Sequence, residues 1–170
     1  MTPPNDAELA IHLAAHGDRY REPGRTAFSH IFFSPSRRGS GATAEARQMV
    51  ARLNALKHPP DLSPEAGDPF MFGYDFQGQS EAEISSQFGA PFARVVSRQA
   101  AGSWEGPIES ALGVHLVRVR SHVDGRLPAL AEVRARVLSD VMSQRERAAS
   151  DAAFAKIRSH YQIVIQQENR

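Results

Sequence analysis

Gly106-Pro-Ile-Glu-Ser-Ala-Leu-Gly-Val-His-Leu-Val-Arg-Val119 is the stretch on which the reading of this chain turns. From Gly113 to Ser121 it alternates Val-His-Leu-Val-Arg-Val-Arg, the mark of a strand whose successive side chains point to opposite faces. Trp104 to Glu109 reads as extended, so the stretch is a pair of strands. Asp124-Gly125 then supplies a turn.

Moving outward, Arg25 to Ser34 holds Thr-Ala-Phe-Ser-His-Ile-Phe-Phe, aromatic and β-favouring, and predicts another strand. Ser36 to Gly41 reads as a flexible loop. Ala42 to Lys57 predicts a helix with Ala46, Met49, Val50 and Leu53 on one face. His58-Pro-Pro-Asp-Leu-Ser-Pro64 cannot continue it, because proline lacks the amide donor. Gly67 to Phe72 predicts a short strand. Ser80 with Glu83 predicts a capped helix ending near Gly89, and Pro91 opens a second short helix through Val96. Pro128 to Ser159 is helical, with a stripe of Leu130, Val133, Val137, Leu138, Val141 and Met142. Ser150-Asp151 is a candidate break in it, and Tyr161 to Ile165 reads as a final strand. Asn5 with Glu8 caps a first helix that stops before Pro23-Gly24. These elements make an α+β protein. Residues 1–24 form a helical extension, 25–122 a central domain, and 123–170 a long helix with a short strand.

Composition narrows the function. Among 170 residues, 20 are basic and 19 acidic, for a net charge of +1. Such balance gives no support to nucleic-acid binding, which needs a basic face. The absence of cysteine excludes a disulfide framework, a thiol nucleophile and a thiolate metal site. The first thirty residues lack the apolar run of a signal peptide or membrane span. If the protein is exported or membrane-anchored, the segment responsible is expected upstream of Met1.

Four segments, in order, carry a resemblance. They are Phe28-Ser-His-Ile-Phe-Phe33, Gly67-Asp-Pro-Phe-Met-Phe72, Phe88-Gly-Ala-Pro-Phe92 and the opening stretch from Gly106. The last resembles the closing Gly-Pro-Val-x-Ser-x-x-Gly-x-His strand pair of parvulin-type peptidyl-prolyl isomerases. The first is similar to their opening histidine strand, and the second to their Gly-Gly-Asp-Leu-Gly-x-Phe segment. The resemblance covers about Arg25 to Ser121. It implies a small four-stranded, mostly antiparallel sheet surrounded by helices. The flanking helices are similar to those of exported parvulins that build a helical chaperone part from chain on both sides of the isomerase domain.

What the resemblance implies for the site follows by position. Phe92 would be the floor of a proline pocket and Phe88 its wall, with Phe72 and Phe70 in the substrate-binding set. His30 and His115 match the paired histidines of adjacent strands, expected as neutral rings sharing a hydrogen bond. Asp61 matches the acidic position ahead of the Gly-Asp segment once the loop is shifted by one, since direct counting lands on Pro60. The chain departs from the pattern where Pro69 or Phe70 replaces a leucine, and by an insertion from Gly73 to about Ser85. The implied reaction is isomerisation of Xaa-Pro bonds in unfolded or extended clients. It requires no metal, nucleotide or other cofactor, and no covalent intermediate.

The residues also admit plainer readings. His30 and His115 could be satisfied core histidines, Phe88 and Phe92 are at ordinary helical core spacing, and Asp61 could be a solvated turn residue. His12 and His16, four apart on a helix, have no acidic third ligand nearby. Arg37 and Arg38 lie where phosphate-selective parvulins keep basic residues, but the glycines around them favour a solvated loop. Beside an active isomerase stand two other functions: a parvulin-like chaperone that binds without turnover, and a structural α+β domain.

Overall fold

Four strands make one sheet: β1 (Arg25–Phe33), β2 (Asp75–Gln79), β3 (Trp104–Glu109) and β4 (Val114–Val123). Their spatial order is β2-β1-β4-β3 and every pairing is antiparallel. The computed structural model that shows this describes residues 2–56 and 66–160. Asp61 and the segment Tyr161 to Ile165 lie outside the described residues.

The two central strands are covered on both faces, and the period of two sorts their side chains. Phe28 of β1 joins Val117 and Val119 of β4 in one core with Phe76, Ile84, Phe88, Phe92 and Val96. Ile31 and Phe33 join Val114 and Leu116 in a second core, against Ala42, Ala46, Leu53 and Trp104. Helices α4 (Glu81–Phe88) and α5 (Ala90–Val96) cover the first face. Helix α3 (Ala42–Asn54) covers the second. Ser80 starts α4 with a capping box, in which its Oγ accepts from Glu83 N–H and the Glu83 carboxylate accepts from Ser80 N–H at 2.7 Å. Gly106 marks a bulge in β3, with φ 141°, and a Cβ there would meet Leu116 Cδ2 at 2.7 Å. Only glycine fits so close a strand approach. The Gly106–Pro107 peptide is cis.

These strands and helices lie in a compact unit, Glu22–Arg126. A second unit unites the chain up to Arg21 with the chain from Leu127. It packs α1 (Asp6–Ala15) on the first part of α6 (Leu130–His160), burying Leu9, Leu13, Tyr20, Val137 and Val141. The Asn5–Glu8 capping box is present, and Tyr20 Oη donates to Asp140 Oδ2 at 2.6 Å.

The sequence misleads at three places. Gly67 to Phe72 is not a strand, because Pro69 removes a ladder donor and the chain turns at Met71-Phe72. The edge strand lies further on, at Asp75–Gln79, inside what reads as an insertion. It buries only Phe76, too little to give an alternating signal. Ser36 to Gly41 is not a plain loop, because Pro35 opens a helical turn, α2 (Pro35–Arg38). Ser150-Asp151 does not break α6, which runs through both.

Candidate functional site

Adjacent central strands bring His30 and His115 together. Both project to the face covered by α4 and α5. Their register is diagonal: His30 lies opposite Val117 and His115 opposite Phe32. The two Nδ1 atoms are 3.0 Å apart. His30 Nε2 lies 2.9 Å from the Gly73 carbonyl, and His115 Nε2 lies 2.8 Å from Ser110 Oγ.

Those partners fix every proton. A carbonyl only accepts, so His30 carries its proton on Nε2 and leaves Nδ1 as an acceptor. His115 therefore donates from Nδ1, and its Nε2 accepts from the Ser110 hydroxyl. Ser110 Oγ accepts in turn from Leu112 N–H at 3.0 Å. The result is a one-directional chain from Leu112 through Ser110, His115 and His30 to Gly73. Both rings are neutral in it. Burial holds His30 down at about 4 and His115 at about 3, the latter helped by repulsion from His30. Both rings therefore stay uncharged near neutral pH.

An aromatic shell encloses the pair. Phe88 stacks on Phe92 with centroids 4.6 Å apart, and Phe92 meets the His115 ring at 5.0 Å. Phe70 stacks on Phe88 at 5.5 Å and 12°. It also lies edge-on to His30 at 4.7 Å and His115 at 5.5 Å. Phe88, Phe92 and His115 are 0% exposed and His30 only 3%, so all four are buried. Phe70 is half-buried above them. Phe72 stands at the rim, exposed, with its ring on Phe70.

The Gly67–Tyr74 segment carrying Phe70 is tied down at both ends. Asp68 N–H donates to the Phe32 carbonyl at 2.7 Å. Its carboxylate accepts from Ser34 N–H at 2.7 Å and from Arg38 Nε at 2.7 Å. The Arg38 hydrogen bond, with that from Ser34, holds the Asp68 carboxyl below the usual carboxylate range. Arg38 also pairs with Glu45 and lies over the Phe33 ring. It is therefore a structural cation rather than a free basic residue of a solvated loop. At the far end, His30 N–H donates to the Tyr74 carbonyl at 2.9 Å. An open groove of about 260 Å³ lies beside Phe70, lined among others by Phe32, Ser34, Met71 and Leu112.

The structure thus gathers His30, His115, Phe70, Phe88 and Phe92, leaves Phe72 at the edge, and does not describe Asp61. Sequence reasoning missed three participants. Ser110 sits in the deciding stretch, five residues before His115, where its hydroxyl was a visible signal. Asp68 was legible as a motif residue but not as the partner of Arg38. The Gly73 carbonyl had no signal, since any residue could supply it. Among the described residues, no group of three or more His, Asp or Glu side chains could hold a metal ion.

Residues 4–135 match the family described as the PPIC-type PPIASE domain. The chain belongs to that family, and is a divergent parvulin-type protein. None of the curated proteins matches it. It is similar to a solved structure from Campylobacter jejuni, from work on the virulence factor PEB4 and the periplasmic protein Cj1289 as SurA-like chaperones. There the TM-score is 0.56 at 12% identity, over 96% of this chain and 64% of that one. The chain thus spans under two thirds of that relative's length. It also matches peptidylprolyl isomerase PrsA from Bacillus anthracis, with TM-score 0.43 and 18% identity, over 83% of this chain and 56% of that one.

Proposed function

We propose that this protein is a peptidyl-prolyl cis-trans isomerase acting on proline-containing stretches of extended, exported polypeptides. The observation that carries the reading is the pair of neutral, hydrogen-bonded histidines enclosed by Phe88, Phe92 and Phe70 in a PPIC-type domain. Rotation about Xaa-Pro faces a barrier of roughly 18–20 kcal/mol, because the planar amide is resonance-stabilised. The twisted amide loses that resonance, so an apolar site that excludes water and favours the twisted form lowers the barrier. Phe88 and Phe92 offer the apolar surface, with Phe72 at its entrance. The histidine chain offers fixed dipoles that need no reorganisation during the reaction. Asp61 is proposed, from its sequence position, as a polar group near the substrate carbonyl. The helices before residue 25 and after residue 122 are proposed to hold client chains. An exported location is proposed by analogy with the periplasmic protein Cj1289.

A second reading has its own support. Because Phe88, Phe92 and both histidines are sealed, a module that grips extended chains at the rim with little turnover fits the closed site. Refolding of a client whose slow phase is limited by a native cis proline separates the two. An isomerase shortens that phase, of tens to hundreds of seconds unaided, and a folded His115→Ala variant loses most of the acceleration. Suppressed aggregation with an unchanged slow phase leaves only the binding module.

A further inference from the structure

We infer that Phe70 is a gate: its ring occupies the place of the substrate's proline ring, and substrate enters only when Phe70 swings aside into the neighbouring groove. The inference rests on the isomerase reading above and extends it to what controls access.

Three observations converge. The face of Phe88 toward the site is already taken, since Phe70 stacks on it at 5.5 Å while its edge meets both imidazoles. With Phe88, Phe92 and both histidines out of solvent, a client's proline cannot reach them until that ring leaves. The vacated volume is that of a benzyl group, enough for the smaller pyrrolidine ring.

The second observation is a place for the ring to go. The 260 Å³ groove, with Phe32, Met71 and Leu112 in its wall, opens beside Phe70 and offers apolar cover. The segment has fixed ends at Asp68 and Tyr74 and a turn between them, with Gly73 at φ 83°, where a Cβ would meet nothing. Motion can be confined to Pro69–Gly73 without disturbing the sheet. Met71 (79% exposed) and Phe72 (47% exposed) stand in water at its tip. They gain apolar contact if a client chain lies along the opened segment.

The third is chemical. The Gly73 carbonyl that receives the His30 Nε2–H belongs to the same segment. Moving the segment empties the pocket and frees that donor together. The site is thus switched from self-satisfied to substrate-ready in one displacement.

A closed gate lowers apparent affinity by the fraction of molecules that are open, and leaves the step after binding unchanged. The test is saturation kinetics of Ala-Ala-Pro-Phe isomerisation by exchange NMR for wild type, Phe70→Ala and Phe70→Leu. Leucine cannot stack but still fills core, so the test stands if the alanine variant fails to fold. The expected result is a fall in KM of about tenfold for alanine and a smaller fall for leucine, so that kcat/KM rises in both. A silent wild type with an active variant also supports the gate. A wild type that turns over while the folded variants show unchanged or raised KM, or mainly lost kcat, makes Phe70 a plain wall and overturns the gate but not the isomerase. Silence from wild type and from a folded variant overturns both.

Discussion

At the residue scale, the histidine pair makes the sharpest demands. Ser110 supplies both a donor for His115 Nε2 and an acceptor for Leu112 N–H. Ser110→Ala leaves a buried ring nitrogen unpaired and is expected to lower stability by about 1–3 kcal/mol in urea unfolding. A loss near zero would mean that the ring finds another donor. Acid makes a second demand. His30 and His115 are depressed in the folded protein to about 4 and about 3, from 6.5. As pH falls below about 6.5, the unfolded chain takes up protons that the folded chain refuses. Stability from the pair is therefore complete above that pH and is lost on the way down toward pH 4, at about 1.4 kcal/mol per pH unit for each ring. His12, also lowered, adds in the same direction, so the decisive readout is ring-specific. The ring carbon shifts of His30 and His115 should hold still from pH 7.5 to 5. Movement of either near pH 6.5 would contradict the neutral chain.

At the element scale, the site depends on how the Gly67–Tyr74 segment is fastened to β1. Asp68 and Arg38 form the fastening, with side chains 8% and 26% exposed. A double-mutant cycle of Asp68→Asn and Arg38→Ala is expected to show coupling of about 1–2 kcal/mol; independent effects would mean that Ser34 N–H alone holds the Asp68 carboxylate. The same elements show what sequence could and could not reveal. β1, β4 and the capped α4 were legible, since aromatic runs, alternation and a Ser–Glu spacing are local signals. So was the meeting of His30, His115, Phe88 and Phe92, but only through a resemblance that supplied strand order. The strand Asp75–Gln79 was not, because an edge strand with one buried residue has no period to read. Nor was the position of Phe70 over Phe88, which depends on where a turn between two anchors points a ring. Arg38 read as solvated because its partner, Asp68, is distant in sequence.

At the scale of the whole molecule, Glu22–Arg126 contains the sheet, both of its cores and the candidate site. Expressed alone, residues 22–126 are expected to fold cooperatively, with a dispersed amide spectrum; a disordered spectrum would make the terminal helices part of the fold. The proposed isomerase site is the neutral histidine pair with its aromatic shell. The decisive measurement is exchange NMR on Ala-Ala-Pro-Phe with the wild-type chain across pH 6 to 8. Faster cis–trans exchange is expected, with kcat/KM flat over that range, because rings whose pKa values lie near 3 and 4 do not titrate there. Unchanged exchange at high protein concentration, or a rate that falls with a midpoint near pH 6.5, would contradict it.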